Sequence, residues 1–194
     1  MTQTSLNNVS IRLKSGGHTF SDLELKEIVG KTTGPVDVVV LSPKTTLVPA
    51  ELFKMESAAD YLIAVGLAPC VDECVVCSSA VDGVVAVMAM SKKCHDALNG
   101  YEHIAGYVTP FLCGENLEEV SMLHLEDGLL YVRVYDNGLR FAEVMECLND
   151  ADILYYLTKI DEVYNIYNTY ARATGDTARI KRVTKYIFKE LICE

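Results

Sequence analysis

Residues 120–147 read VSMLHLEDGLLYVRVYDNGLRFAEVMEC, and this stretch decides the fold. Val120 to Leu125 is a short strand, Glu126-Asp127-Gly128 turns it, and Leu129 to Tyr135 continues as a second strand. In that second strand Leu130, Val132 and Val134 share one face and Tyr131, Arg133 and Tyr135 the other, the period-two pattern of a strand. Asp136-Asn137-Gly138 marks the next turn, because Asn-Gly suits the type I′ geometry in which both central residues take positive φ. Leu139 to Cys147 supplies a third antiparallel strand. A helix from about Asp150 to Asn168 follows, with Ile153, Leu154, Leu157, Ile160, Tyr164 and Tyr167 at three- and four-residue steps. A last helix is expected over about 177–192, burying Ile180, Val183, Ile187, Phe188 and Leu191, with a candidate short strand at Tyr167 to Ala173 before it.

Working outward toward the N-terminus, the same grammar recurs. Val9, Ile11 and Leu13 alternate with polar residues, and Ser15-Gly16-Gly17 supplies a tight turn. Val36 to Leu41 is almost wholly apolar and β-branched, as in a strand covered on both faces. Pro49 and Glu51 suit the first turn of a helix, which is expected from Pro49 to Val65. Val71 to Ser79 and Val84 to Met90 form a hairpin about Val81-Asp82-Gly83, Ser91 caps a short helix through Leu98, and Ile104 to Leu112 is a further strand. Each half thus opens with an antiparallel meander that leads into a helix. Val9-Ser10 and Gly17 overlay Val120-Ser121 and Gly128 at one constant offset, the trace of a duplication.

Composition narrows the class. The 194 residues are 50% hydrophobic and 23% charged, which excludes a disordered, collagen-like or low-complexity chain. The formal net charge of −10 argues against general nucleic-acid binding, which needs a cationic surface. That charge is uneven: residues 172–194 are net basic, and Arg182, Lys185 and Lys189 fall on one face of the expected last helix. Such a basic helix is a candidate contact for an acidic partner, RNA or the chain's own acidic surface; as a solvated face it also complements its own dipole. Tyr155, Tyr156, Tyr164, Tyr167 and Tyr170 suggest a tyrosine-rich seam, either core packing or an interdomain or subunit contact. Seven cysteines, with a polar start from Met1 to Asn8, predict a reduced cytoplasmic protein. The longest apolar stretch, about Tyr61 to Val71, is too short to cross a bilayer.

Three stretches carry a resemblance. They are Thr46-Leu47-Val48-Pro49-Ala50-Glu51-Leu52-Phe53, Tyr107-Val108-Thr109-Pro110-Phe111-Leu112, and the run from Leu129 through Gly138 with the helix Asp152-Ile153-Leu154-Tyr155-Tyr156-Leu157 behind it. The chain resembles an uncharacterised bacterial family catalogued as domain of unknown function 3822, assigned the actin-like ATPase fold. The resemblance implies an α+β (α/β) architecture of two tandem ribonuclease-H-like β-β-β-α lobes, residues 1–116 and 117–194. It also implies a cleft between the lobes in which hairpin turns hold nucleotide phosphates through backbone N–H groups and an aspartate that binds metal. On these positions the cofactor-binding candidates are Gly16, Gly17 and Thr19 in the first turn, Asp127 and Gly128 in the second, and Gly175 at the adenosine-contacting motif.

The turns depart from the active pattern. Active members place an aspartate just before a glycine- and hydroxyl-rich turn, whereas Arg12, Leu13 and Lys14 precede the first turn here. The second turn has Asp127 but lacks a second glycine and Ser/Thr donors. The fold would add a strand after the last helix, so the C-terminus reads as trimmed. The resulting expectation is a non-catalytic binding or scaffold module that needs no cofactor and works with another protein or a second copy of itself, away from membranes. The alternative is an ATPase or kinase that uses ATP and Mg²⁺ through divergent phosphate loops. A third reading rests on Cys70, Cys74 and Cys77, whose C-x3-C-x2-C spacing is that of a radical-type [4Fe–4S] site, against their use as small hydrophobes. His18, His95, His103 and His124 stand apart from one another in sequence, and His18 alone adjoins a candidate turn.

Overall fold

The computed structural model describes residues 9–14, 35–101, 105–112 and 120–194. The chain divides into two compact units, Met1–Thr109 and Pro110–Glu194.

The first unit contains β1 (Val9–Lys14) and β2 (Val36–Leu41), then β3 (Thr45–Pro49), α1 (Ala58–Ala64), β4 (Glu73–Cys77), β5 (Val84–Ser91), α2 (Lys92–Ala97) and β6 (Ala105–Val108). β2 pairs in parallel with β1 on one side and β6 on the other. This central position explains its continuous β-branched run, because both faces of such a strand are covered; Val36, Val38, Val40 and Leu41 are buried. The expected antiparallel opening is therefore corrected: among the described residues β1 meets β2 in parallel.

Between β2 and β6 the chain builds a second, antiparallel sheet in the order β3-β5-β4. Its hairpin turns at Asp82 and Gly83, both at positive φ, as a two-residue type I′ turn requires. A helix starting at Pro49 is not formed. Residues 45–49 pair with β5 instead, Ala50 N–H donates to Gly83 C=O, and Pro49 sits at the end of its strand, where its missing donor costs nothing. The α-helix starts only at Ala58, and Leu62 is its fully buried residue, packed with Val48, Val87 and Ala89.

The second unit follows the 120–147 pattern closely. It runs β7 (Ser121–Glu126), β8 (Leu129–Tyr135), β9 (Leu139–Glu146), α3 (Asp150–Tyr164), β10 (Tyr170–Gly175), α4 (Thr177–Val183) and β11 (Glu190–Cys193). The sheet order is β11-β10-β7-β8-β9: the meander β7-β8-β9 is antiparallel, and β10 and β11 add to it in parallel. The 136–138 turn differs from a two-residue type I′ loop. Asn137 and Gly138 take positive φ, but Tyr135 pairs with Leu139 across a register shift, so three residues make the loop.

α3 opens with a capping box: the Asn149 side chain accepts from the N–H groups of Ala151 and Asp152, and the Asp152 carboxylate accepts from Asn149 N–H. Such a cap satisfies donors that the first helical turn leaves open. Leu130, Val132 and Val134 pack against Ile153, Leu157, Ile160 and Ile180 in one continuous core, and full burial of each large aliphatic side chain is worth about 1.5–3 kcal/mol. Tyr156, Tyr164 and Tyr167 border this core while Tyr155 is exposed, so the tyrosines do not act as one seam.

The C-terminal segment corrects two expectations. The last helix stops at Val183, and the chain turns and adds β11 beside β10, so the unit carries the terminal strand that the sequence appeared to lack. Ile187 is drawn into the core, its C=O accepts from Asn168 N–H, and Lys189 N–H donates to Thr169 C=O; these bonds hold the chain in the turn and prevent helical continuation. Consequently Arg182, Lys185 and Lys189 do not form a basic helical face. Arg182 bonds Asp150, Lys185 lies over Tyr186, and Lys189 lies over Tyr170.

Candidate functional site

In the second unit the helices pack on one face of the sheet, and the candidate site occupies the other. Strand alternation places His124 and Glu126 of β7 on this face together with Tyr131 and Arg133 of β8. Parallel pairing of β10 with β7 sets Thr174 directly opposite His124. The imidazole is held at both ends: Nδ1 lies 2.8 Å from Thr174 Oγ1 and Nε2 lies 3.1 Å from Glu126 Oε2. A carboxylate oxygen accepts, so Nε2 is the donor toward Glu126, while the Thr174 hydroxyl can either donate to Nδ1 or accept from it. Edge-on packing against Tyr131, with centroids 5.7 Å apart, fixes the ring plane.

Above these residues the short 3₁₀ turn Pro110–Leu112 brings Phe111 onto Tyr131 at 5.2 Å, edge to face. Phe111, Met122, His124, Tyr131, Arg133 and Thr174 line a cavity of about 10 Å³, room for one water. Arg133 is 4% exposed, unusual for a guanidinium; it donates to Tyr135 Oη at 3.4 Å and lies 5.7 Å from that ring's centroid. On the side of β8 opposite the aliphatic core, Tyr131 and Arg133 are thus buried as well. Sequence reading passed over this constellation because His124 has no histidine or cysteine neighbour. The available signal was the His124-x-Glu126 step, which puts an imidazole and a carboxylate on one strand face.

The residues expected to contact nucleotide in this unit, Asp127 and Gly128 at phosphate and Gly175 at adenosine, gather at one end of the sheet. Asp127 and Gly128, at φ 55° and 76°, are the two central residues of the β7–β8 hairpin, a type I′ turn between the paired Glu126 and Leu129. Gly128 C=O accepts from Cys147 N–H at 2.7 Å, which ties the turn to the end of β9. Gly175 closes β10 opposite Leu125, two residues before Asp127. At φ 77° it lets the backbone cross β7 so closely that a Cβ would overlap the Leu125 carbonyl oxygen and lie 3.2 Å from His124 Cε1. Asp176 N–H donates to that same carbonyl at 2.7 Å, and the Asp176 carboxylate caps α4 at Arg179 N–H. The carboxylate just before the turn is Glu126, already bound to His124. Gly16, Gly17, Thr19 and His18 of the first turn lie outside the described residues, as does His103.

Cys70, Cys74 and Cys77 do not converge. Cys74 and Cys77 are three residues apart on β4 and so point to opposite faces. The Cys74 thiol donates to Met90 C=O, whereas Cys77 packs beside Val75 on the small core. Burial pushes both thiols above their usual range. Cys70 precedes the strand on an exposed turn. Among the described residues no group of three His, Cys, Asp or Glu side chains could hold a metal ion. None of the described helices is long and apolar enough to cross a membrane.

The geometry now bears comparison with known proteins. No family model matches the chain, and no curated protein matches it by sequence. Solved structures do match. A Bacteroides thetaiotaomicron protein of actin-like ATPase fold and unknown function aligns with a TM-score of 0.71 over 96% of this chain and 90% of its own, at 16% identity. The cytoplasmic domain of EpsL, an inner-membrane component of the type II secretion system of Vibrio cholerae, aligns with a TM-score of 0.46 at 17% identity, over 86% of this chain and 80% of its own. The chain therefore has the actin-like ATPase fold. At this identity the likeness extends to architecture alone.

Proposed function

We propose that this chain is a non-catalytic binding or scaffold module on an actin-like ATPase fold, a member of the uncharacterised bacterial family that its sequence resembles, and that it acts in the reducing cytoplasm with a protein partner or a second copy of itself. One observation carries this reading: the phosphate turn of the second unit is a minimal type I′ hairpin whose preceding carboxylate, Glu126, is engaged by His124. A nucleotide site of this fold needs that carboxylate free for hydrated Mg²⁺ and needs hydroxyl donors in the turn. The residues flanking Asp127-Gly128 are Glu126 and Leu129, and neither donates a side-chain hydrogen bond to phosphate. Gly175, the candidate adenosine contact, is required by the backbone crossing at Leu125 whether or not a ligand binds.

Calorimetric titration of the full chain with Mg-ATP tests the proposal. The expected result is no saturable binding tighter than about 1 mM. Micromolar binding that Asp127→Asn abolishes would overturn it and favour the alternative, an ATPase or kinase with divergent phosphate loops, for which phosphate release is the second readout.

A further inference from the structure

The first helix of the first unit carries an apolar surface that its own core does not use. The 3₁₀ turn Met55–Ser57 runs directly into α1, and steps of four residues set Met55, Ala59 and Ile63 in one exposed row. Leu52, Met55, Ile63 and Val65 are 62%, 65%, 55% and 55% exposed. The loop before the helix is fastened to it. Tyr61 Oη donates to Leu52 C=O at 2.7 Å and accepts from Lys54 N–H at 3.0 Å, and the Phe53 ring stacks on that of Tyr61. Single exposed apolar residues are ordinary, but a cluster held in place and rimmed by charge marks a contact surface. The rim here is acidic: Glu51, Glu56 and Asp60 are exposed, against the one ammonium of Lys54. Glu56 and Asp60, four residues apart, repel each other, and neither has a cation partner among the described ion pairs.

The second unit carries the opposite surface. Residues 177–189 hold five cations and no carboxylate. Arg179 and Arg182 are committed to Asp150, and Lys189 lies over Tyr170. That leaves Lys181 on α4 and Lys185 one turn beyond it, both exposed and without a carboxylate among the described ion pairs. Beside them Tyr186 is 87% exposed, with the Lys185 ammonium 5.2 Å from its ring centroid. The stretch is held in shape by its neighbour, since Ile187 is in the core and its N–H donates to Thr184 C=O at 2.9 Å. An exposed ring flanked by two lysines matches an apolar cluster rimmed by carboxylates in both polarity and sign of charge. The lysine stems add apolar cover while their heads reach the rim.

We propose that the acidic apolar surface on α1 of one copy receives the Lys181, Lys185 and Tyr186 surface of a second copy of this chain. This rests on the binding-module reading above and narrows its partner to the chain itself. Tyr186 is the anchor that enters the cluster of Leu52, Met55 and Ile63, and the two lysines pair with Glu56 and Asp60 at the rim. The two surfaces differ and belong to different units, so the contact is heterologous. Each copy that joins leaves one surface of either kind unfilled, and association runs head to tail into a ring or an open chain. A contact of one aromatic anchor and a few ion pairs belongs to the small, transient class, and its charged part weakens with salt.

Sedimentation velocity of the full chain tests this over about 0.01–0.5 mM protein, at low ionic strength and at about 0.5 M salt. The expected result is a mean sedimentation coefficient that rises with concentration at low salt and much less at high salt. Glu56→Lys with Asp60→Lys, and separately Lys181→Glu with Lys185→Glu, alter exposed side chains only, and each pair should abolish the rise. An equimolar mixture of the two variants should restore it, because each supplies the surface that the other has lost. Tyr186→Ala should weaken association about tenfold or more. A chain that stays monomeric over the whole range would overturn the proposal and leave the α1 surface to a basic segment of another protein. Self-association that both charge reversals leave unchanged would also overturn it, as would a mixture no more associated than its components. The Mg-ATP titration is read independently, so loss of this contact and loss of the non-catalytic reading are separate results.

Discussion

Replacing Gly175 by alanine separates the two demands placed on this residue, backbone conformation and close approach. At φ 77°, an L-residue costs about 1–2 kcal/mol in the left-handed region. The added Cβ would also overlap the Leu125 carbonyl, so β7 and β10 must separate there and the Asp176 N–H to Leu125 C=O bond at 2.7 Å is lost. An acceptor left unpaired in this way adds about 1–3 kcal/mol, which makes a total of about 2–5 kcal/mol. Gly128→Ala is the matched control: its φ is 76°, and the nearest atom to its Cβ, the Cys147 carbonyl oxygen, stands at an ordinary 3.7 Å. Its cost is the conformational part alone, about 1–2 kcal/mol. Thermal melts followed by near-UV circular dichroism report on this unit, which holds most of the eleven tyrosines of a chain without tryptophan. At about 4–8 °C per kcal/mol for a domain of this size, Gly175→Ala should melt roughly 10 °C below Gly128→Ala. Melting points within about 3 °C of each other would refute the close crossing and leave Gly175 open to a reading as a ligand contact.

Two further perturbations test the same unit. The Asp150 carboxylate is held below the usual carboxylate range by hydrogen bonds from Arg182 and Arg179, at 2.8 and 2.7 Å. A depressed carboxylate contributes stability that is present above its unfolded pKa and lost as pH falls through the folded value. Asp150→Asn should therefore lower Tm at pH 7, with the difference closing below about pH 4 and shrinking in high salt; a difference independent of pH would refute the pairing. Leu157→Ala removes a fully buried side chain at the centre of the α3 contact and should cost about 2–5 kcal/mol in urea unfolding followed at the tyrosines. A loss below about 1 kcal/mol would place α3 elsewhere than on this sheet.

What was legible in the sequence follows from how local its cause is. β8 and its flanking turns are set by neighbours within a few residues: strand alternation, Asp-Gly at 127–128 and Asn-Gly at 137–138. α3 carries its own cap and apolar stripe, so its start was readable too. Failures occur where a distant partner decides. Residues 45–49 carry a helix-start proline but are captured by β5, about forty residues away, and residues 190–193, at the end of a helical stripe, are captured by β10. The His124–Thr174 contact belongs to the same class, since only the parallel register of β10 on β7 brings the two together. Asp127, Gly128 and Gly175 are candidates only through the family resemblance, although Asp-Gly marks its own turn; that they share one end of a sheet depends on the parallel register of β10 on β7.

The pairing also changes where a duplication should be sought. In the second unit β7 is followed outward by the parallel strands β10 and β11; in the first, β1 is followed outward by the parallel strands β2 and β6. The constant offset that overlays Val9-Ser10 on Val120-Ser121 thus maps the first strand of one parallel trio onto the first strand of the other. The units differ in their insertions. α4 alone joins β10 to β11, whereas an entire antiparallel sheet with two helices, including the Cys70 turn, lies between β2 and β6. The inserted sheet brings its own small core of Val48, Leu62, Val87 and Ala89, so it packs as a layer for which the single helix between β10 and β11 offers no equivalent.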